Sequence, residues 1–337
     1  MRAVGYRTPG PIDGPDSLLD IDLPQPEPRP RDLLVQVRAV SVNPVDTKVR
    51  RRAAPDAGAW KVLGWDAAGV VVGVGAEVSR FAQGDEVFYA GDLSRQGTNA
   101  EYHVVDHRLV GRKPSSLDFT QAAALPLTAL TAWETLFDRL DVRKTVPGAA
   151  PAVLVIGGAG GVGSIAVQLL RQLTELTVIA TASRPETVAW ARELGAHHVV
   201  DHSQPLAAQV AGLGIGAPAF VFSTTATDRH LAAVAELIAP QGRWALIDDP
   251  GVVDIAPFKR KSVSTHWELM FTRSLFDTPD MDAQGALLDE VSRLVDQGVL
   301  KTTLGEHFGV IDAANLRRAH AFIEQGTARG KIVLEGF

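Results

Sequence analysis

The sequence predicts an α/β protein in which a doubly wound parallel sheet is joined to a β-rich region. Three observations predict it. An apolar run at 152–156 leads directly into Gly157-Gly158-Ala159-Gly160-Gly161-Val162-Gly163, and residues 164–173 then repeat apolar side chains at helical spacing. From about 127 to 276 strand and helix patterns alternate, which marks a parallel sheet. Up to about 126 the pattern is instead one of short strands, glycines and proline-punctuated connections.

In the first region, residues 33–39 and 68–73 read as strands, and Gly84-Asp85-Glu86-Val87-Phe88 as a turn into another. The stretch from Pro24 to Pro30 reads as a loop between strands rather than a polyproline ligand. Arg50-Arg51-Arg52 is short and isolated, and is expected on a solvated helix face. In the second region the strands are expected at 152–156, 176–181, 199–200, 220–222 and 244–247, with helices near 186–194 and 229–237. Helices near 283–295 and 313–324 and a strand at 331–334 close the chain.

The chain has 337 residues, enough for two domains, and a net charge of −6, which argues against nucleic acid as a partner. No apolar run reaches the roughly 18 residues of a membrane helix. The N-terminus offers no signal-peptide core. A soluble cytoplasmic protein acting on a small molecule is expected. The cysteine count of zero fits a reducing compartment.

Read as Gly158-x-Gly160-x-x-Gly163, the loop places glycines where a dinucleotide needs them. The first permits a tight turn, the second lets the backbone approach a pyrophosphate, and the third allows close helix–sheet packing. Free N–H groups at the helix start, at Gly161 and Val162, then face the phosphates. A glycine-rich turn alone is often only a turn, but here strand and helix flank it. About 20 residues on, where an acid would take the ribose 2′-hydroxyl, stand Ala182-Ser183-Arg184. A guanidinium and a hydroxyl there favour NADPH, although Arg184 also fits a plain strand–helix turn before Pro185. Ser223, Thr224 and the pair Ile247-Asp248 end predicted parallel strands, where ligands of such sheets collect.

The layout resembles the medium-chain dehydrogenase/reductase superfamily. Asn43-Pro44-Val45-Asp46, Gly64-Trp65-Asp66-Ala67-Ala68-Gly69, Gly84-Asp85-Glu86-Val87, the stretch from Ala123 to Ala132 and Gly330-Lys331-Ile332-Val333-Leu334 look like its quinone oxidoreductase branch. The resemblance implies a GroES-like catalytic domain at 1–126 and 277–337, a Rossmann domain at 127–276, an active cleft between them, and a homodimer joined at the Rossmann sheet edges. It also brings Thr131, Gly330 and Lys331 toward the nicotinamide and its ribose, and His202 toward the adenosine ribose or its phosphate.

Alcohol dehydrogenases of this superfamily bind catalytic zinc through a cysteine, a His-Glu pair and a second cysteine or acid. Here those positions read Asn43, Trp65-Asp66 and Leu127, too poor a donor set for a tetrahedral site. The four-cysteine structural lobe is impossible in this chain, and only a short loop separates Tyr89 from Tyr102. The run His197-His198-Val199-Val200-Asp201-His202 holds metal-ligating residue types, but a strand sends neighbours to opposite faces. No metal site is expected. Zinc-free hydride transfer from NADPH to a quinone or an α,β-unsaturated carbonyl follows, with Asn43 as the leading oxyanion donor. Lys48 stands where several family members have a tyrosine; it is a candidate for enolate stabilisation or an ordinary helix-face lysine. Asp46 acts by charge or caps the next helix. Trp65, Trp267 and Phe271, with Met270 and Phe276, are candidates for an apolar pocket wall or for core. The alternatives are a zinc alcohol dehydrogenase and an NADPH-binding sensor or structural protein without turnover.

Overall fold

Short apolar runs broken by glycine and proline form strands, and longer runs of helical period form helices, along all residues 1–337 of the computed structural model. The first are β1 (Arg2–Tyr6), β2 (Leu19–Asp22), β3 (Asp32–Val42), α1 (Pro44–Arg52), β4 (Lys61–Val62), β5 (Ala67–Val74), β6 (Glu86–Tyr89), β7 (Tyr102–Asp106), β8 (Val110–Arg112), α2 (Phe119–Ala123) and α3 (Pro126–Trp133). Next come β9 (Ala150–Ile156), α4 (Gly161–Leu173), β10 (Thr177–Thr181), α5 (Pro185–Glu193), β11 (His198–Val200), α6 (Leu206–Gly212), β12 (Pro218–Ser223), α7 (Thr227–Leu237), β13 (Arg243–Leu246) and β14 (Ser264–Trp267). The chain closes with α8 (Thr272–Leu275), α9 (Ala283–Asp296), β15 (Leu304–His307), α10 (Ala313–Glu324) and β16 (Lys331–Glu335). Residues 1–130 with 271–337 form one unit and 131–270 the other. The first junction therefore falls inside α3 rather than after Pro126. No helix is long and apolar enough to cross a membrane.

In the first unit β3 organises a sheet of order β15-β16-β3-β5-β6-β8, with β7 also on β3. β3 is long, and its register slips at Leu34/Val35 and Val37/Ala39 against β5. Such bulges bend a strand, and β3 has two partners along one edge: β7 opposite Asp32 to Gln36, and β16 opposite Ala39 to Val42. A second sheet, β2-β1-β4, is small and antiparallel.

α1 corrects one expectation. Arg51 and Arg52 face solvent, but Arg50 is fully buried. Its guanidinium donates to the Gly10 carbonyl at 2.8 Å and pairs with Glu324 of α10. α10 also buries His320 completely, with neither ring nitrogen hydrogen-bonded. Burial, aided by the Arg50 charge, pushes that imidazole down to about 3. An unfolded histidine binds its proton near pH 6.5, so this group costs stability progressively as pH falls from about 6.5 to about 3. His320→Leu is expected to stabilise by about 1–3 kcal/mol at neutral pH, by removing two unsatisfied polar atoms. Its advantage should widen toward pH 5 in urea melts; an advantage that shrinks there would show a partnered ring.

The second unit carries a sheet of order β11-β10-β9-β12-β13-β14, parallel throughout. The order is that of a Rossmann fold, with the switch point between β9 and β12. β9 is central and buried on both faces, so it reads as a continuous apolar run rather than an alternation. Leu154, Ile156, Ile179, Val221, Trp244 and Leu246 form its core. β14 is an edge strand and ends in Trp267, which is 56 % exposed.

Candidate active site

The register of the first unit assembles a buried polar cluster. β16 runs antiparallel to β3 with Ile332 opposite Val42, which puts Lys331 beside Asn43. β5 pairs Ala67 with Val40, which puts Asp66 beside Ser41. Asp66 Oδ2 accepts from Ser41 Oγ at 2.8 Å, Asn43 Nδ2 at 2.8 Å and Lys331 Nζ at 2.9 Å. Its Oδ1 accepts from the backbone N–H of Leu127 at 2.8 Å. The Lys331 ammonium also donates to Asn43 Oδ1 and, at 3.2 Å, to the Val42 carbonyl. Asp66 and Lys331 are 0 % and 3 % exposed, so this is a desolvated ion pair with its remaining valences satisfied.

Asp46 lies on the other side of Asn43. Its carboxylate accepts from the Asn43 backbone N–H at 2.7 Å and from Gly64 N–H at 2.9 Å. Burial pushes it up to about 7, against the pull of those N–H groups and of the Lys331 charge. Asp46 therefore stands at the third helical position of α1, fastening the helix start to the loop before Trp65. Lys48 is half-buried on the same helix and Thr131 is buried in α3. Trp65 and Phe271 are buried edge-on to each other, ring centroids 6.3 Å apart, and the Trp65 indole donates to the Asp92 carbonyl at 3.1 Å.

A zinc ion does not fit these residues. Trp65 and Leu127 present no lone pair to a cation, and Asn43 Oδ1 and Asp66 Oδ2 are both taken by one ammonium. The shortened segment 90–101 is held by hydrogen bonds. Gln96 accepts from Val62 N–H at 2.7 Å, donates to Trp60 O at 2.9 Å, and through its own carbonyl accepts from His103 Nε2 at 2.9 Å. His103 Nδ1 then accepts from the Tyr89 hydroxyl at 3.1 Å. Burial holds His103 down at about 4, so it stays neutral. Arg95 Nη2 donates to both carboxylate oxygens of buried Asp32, at 2.8 and 2.9 Å.

The nucleotide loop lies in the second unit at the switch point. A Cβ on Gly163 would stand 2.1 Å from the Gly157 carbonyl oxygen, and one on Gly158 would stand 2.6 Å from Ala180 Cβ. These two glycines let α4 close on β9 and β10. A Cβ on Gly160 would meet only the Gly157 oxygen, at 3.5 Å, so the space over the helix start is kept clear. With the unpaired N–H groups of its first turn, including Gly161, Val162 and Gly163, this cradle fits a pyrophosphate. Sequence reasoning missed Thr181, which accepts from Gly157 N–H at 3.0 Å and lies 3.1 Å from His202 Nδ1.

The other candidates divide. Thr224 donates to the Ile156 carbonyl at 2.7 Å and packs against Gly157, directly at the switch point. Ser223 is buried and accepts from the Trp244 indole at 2.9 Å, so its hydroxyl serves the core. Ile247 is half-buried past the end of β13, and Asp248 beside it accepts from Thr227 N–H at 2.9 Å, capping α7. Ser183 is exposed, and the Arg184 side chain is 41 % exposed beside Glu186 at 3.3 Å. Burial lowers His202 below the ordinary histidine value, and Arg229 and Arg184 lower it further. Arg229, on α7, is a neighbouring charge the pattern did not single out. The histidine run diverges: His197 Nδ1 accepts from Val178 N–H at 2.9 Å, while His202 turns to Thr181. Gly330 has the positive φ of 59° that turns the chain into β16. Lys331, expected toward the nicotinamide ribose, places its ammonium in the Asn43–Asp66 cluster.

Comparison with known proteins agrees with this anatomy. Residues 29–115 match the alcohol dehydrogenase GroES-like domain, and 194–334 match a zinc-binding dehydrogenase family. A solved structure from Rhizobium etli CFN 42, named as a "putative zinc-dependent alcohol dehydrogenase protein", is 67 % identical with a TM-score of 0.99, covering 100 % of this chain and 98 % of its own. A zinc-type alcohol dehydrogenase-like protein of Staphylococcus aureus is 36 % identical over 99 % of both chains. The quinone oxidoreductase of Coxiella burnetii is 26 % identical with a TM-score of 0.81, covering 100 % of this chain and 99 % of its own. With zinc-ligand positions filled by Asn43, Trp65-Asp66 and Leu127, the chain belongs to the medium-chain dehydrogenase/reductase superfamily as an NAD(P)H oxidoreductase consistent with its zinc-independent branch.

Proposed function

We propose that the protein is a zinc-independent, NADPH-dependent reductase of quinones or α,β-unsaturated carbonyls. The observation that carries this reading is the buried cluster in which Asn43 Oδ1 and Asp66 Oδ2 hold an ammonium. A simple ketone or aldehyde needs strong polarisation before it accepts hydride. A conjugated acceptor needs less, because its charge spreads into an enolate that one or two fixed donors stabilise. Bound NADPH would supply the hydride, to the β-carbon of an enone or to a quinone. Water then protonates the enolate, giving the saturated carbonyl, or the reduced quinone, giving the hydroquinone.

Preference for NADPH is supported by Ser183 and Arg184 after β10, with Arg229 nearby and no carboxylate at the end of that strand. A charge-assisted hydrogen bond to a 2′-phosphate contributes about 1.5–3 kcal/mol. Arg184→Glu is therefore expected to raise KM for NADPH roughly 10–100-fold while leaving NADH little changed. Equal losses with both cofactors would refute the phosphate contact.

The reading as a whole is tested by nicotinamide oxidation against quinones, enones and simple aldehydes, each with and without chelator. Turnover of quinones or enones that resists chelation is expected. Turnover confined to aldehydes and abolished by chelation would overturn it, as would NADPH binding without turnover of any acceptor.

A further inference from the structure

Lys331 donates to Asn43 Oδ1 and Asp66 Oδ2, the two polar side chains at the positions where the superfamily's dehydrogenases bind zinc. With Val42 O at 3.2 Å, the ammonium has an acceptor for each of its three N–H bonds. Asn43 is thereby fixed in one of its two amide orientations. Its oxygen faces the cation and one N–H goes to Asp66, while turning the amide over would aim N–H groups at an ammonium. Resting on the reductase reading above, we propose that Lys331 is a positioning residue: its ammonium replaces the metal cation and orients the Asn43 amide, so that the amide's remaining N–H serves the oxygen of the developing enolate or reduced quinone.

The arrangement also polarises the amide. A cation on the carbonyl oxygen draws electrons from nitrogen and strengthens the N–H as a donor, a charge-assisted chain in a desolvated setting. The reacting bonds are those of the proposed reduction. A C–H bond forms at the acceptor as NADPH becomes NADP⁺, the electron pair moves onto the acceptor oxygen, and water supplies the proton. Lys331 gives up no proton.

The test uses Lys331→Met and the double variant Lys331→Met/Asp66→Asn, which leaves no unpaired buried charge and keeps the question open if the single variant misfolds. Both are compared with wild type for kcat, KM and NADPH binding on the acceptor that wild type reduces best. An oxyanion donor contributes about 100-fold or more to kcat. A loss of roughly 10–100-fold in kcat is expected in the double variant, with the NADPH dissociation constant and acceptor KM moving less than about threefold. An unchanged kcat in a folded double variant would overturn the proposal. A kcat that falls only in step with NADPH affinity would overturn it too.

A second readout is independent of turnover. The chain contains three asparagines, Asn43, Asn99 and Asn315, so asparagine-selective ¹⁵N labelling resolves the Asn43 NH₂ pair, assigned by its loss in Asn43→Asp. Its two N–H protons should exchange at distinct, slow rates in wild type and become faster and more alike in the variants. If wild type reduced no quinone or enone, the reductase reading would fall on that result alone. The orienting role would then stand or fall on whether the Asn43 pair responds to loss of Lys331.

Discussion

Asp66→Asn is expected to destabilise the protein by about 3–5 kcal/mol, because it leaves the Lys331 ammonium buried without its counter-charge. Asp66 is fully buried, and its carboxylate accepts four hydrogen bonds from Ser41, Asn43, Leu127 and Lys331. An amide in its place has one oxygen to offer and turns an NH₂ toward groups that are themselves donors. The exposed pair Arg31–Glu77, with side chains 54 % and 57 % accessible, gives the scale for an ordinary ion pair. Glu77→Gln should cost about 1 kcal/mol or less. Urea melts of both variants check the contrast. An Asp66→Asn cost no greater than that of Glu77→Gln would mean the ammonium finds another partner or loses its proton at little cost. Removing both charges in Lys331→Met/Asp66→Asn should recover part of the stability, since the residual cost is then only that of polar groups left unpaired.

Gly163→Ala is expected to weaken NADPH binding by roughly 10–100-fold and to lower stability by about 1–3 kcal/mol. The new methyl would stand 2.1 Å from the Gly157 carbonyl oxygen and 2.7 Å from Gly158 Cα, both backbone atoms that no rotamer change can clear. α4 would have to move away from β9, taking its phosphate-facing N–H groups with it. Gly160→Ala separates the two effects. Its methyl meets nothing in the protein closer than 3.5 Å, so stability should stay near wild type while binding falls, because the methyl occupies the space a pyrophosphate needs. NADPH fluorescence titration beside thermal melts reads both quantities. Tight NADPH binding by Gly160→Ala would remove this loop from the cofactor site.

The second unit was the more legible in sequence, because its signals are local. A buried parallel strand, a glycine turn and an amphipathic helix follow one another within some two dozen positions, and the strands and helices fall within a few residues of their expected places. The glycines of 157–163 point to a nucleotide because a readable strand and helix flank them. The cluster in the first unit was half legible. Asn43, Asp66 and Lys331 could each be singled out, but not their pairing, since Lys331 comes from a strand nearly three hundred positions away that is brought beside β3 by antiparallel register. The family resemblance brought that lysine toward the nicotinamide ribose, but only the register shows that its ammonium meets Asn43 and Asp66. Arg50 was misread for a similar reason. Its neighbours Arg51 and Arg52 are exposed, and only the packing of α10 over α1 supplies Glu324 to receive it. Ser223 was singled out by position, since the end of a parallel strand is a good place for ligand contacts, but its acceptance of the Trp244 indole N–H could not be read from the sequence.

The segment between Tyr89 and Tyr102, tied down by Gln96, His103 and the Arg95–Asp32 pair, has a chemical consequence for the proposed reaction. Quinones and enones are electrophiles that add readily to thiolates, and an enzyme turning them over meets them at high local concentration. A lobe held by cysteines would expose this catalyst to alkylation by its own substrates. Here the same stretch of chain is closed by an amide, a neutral imidazole and a guanidinium–carboxylate pair, in a protein with no sulfhydryl anywhere. Its architecture is therefore resistant to conjugate addition at sulfur, and its working lifetime in the presence of reactive acceptors should be set by unfolding rather than by covalent self-inactivation through thiols.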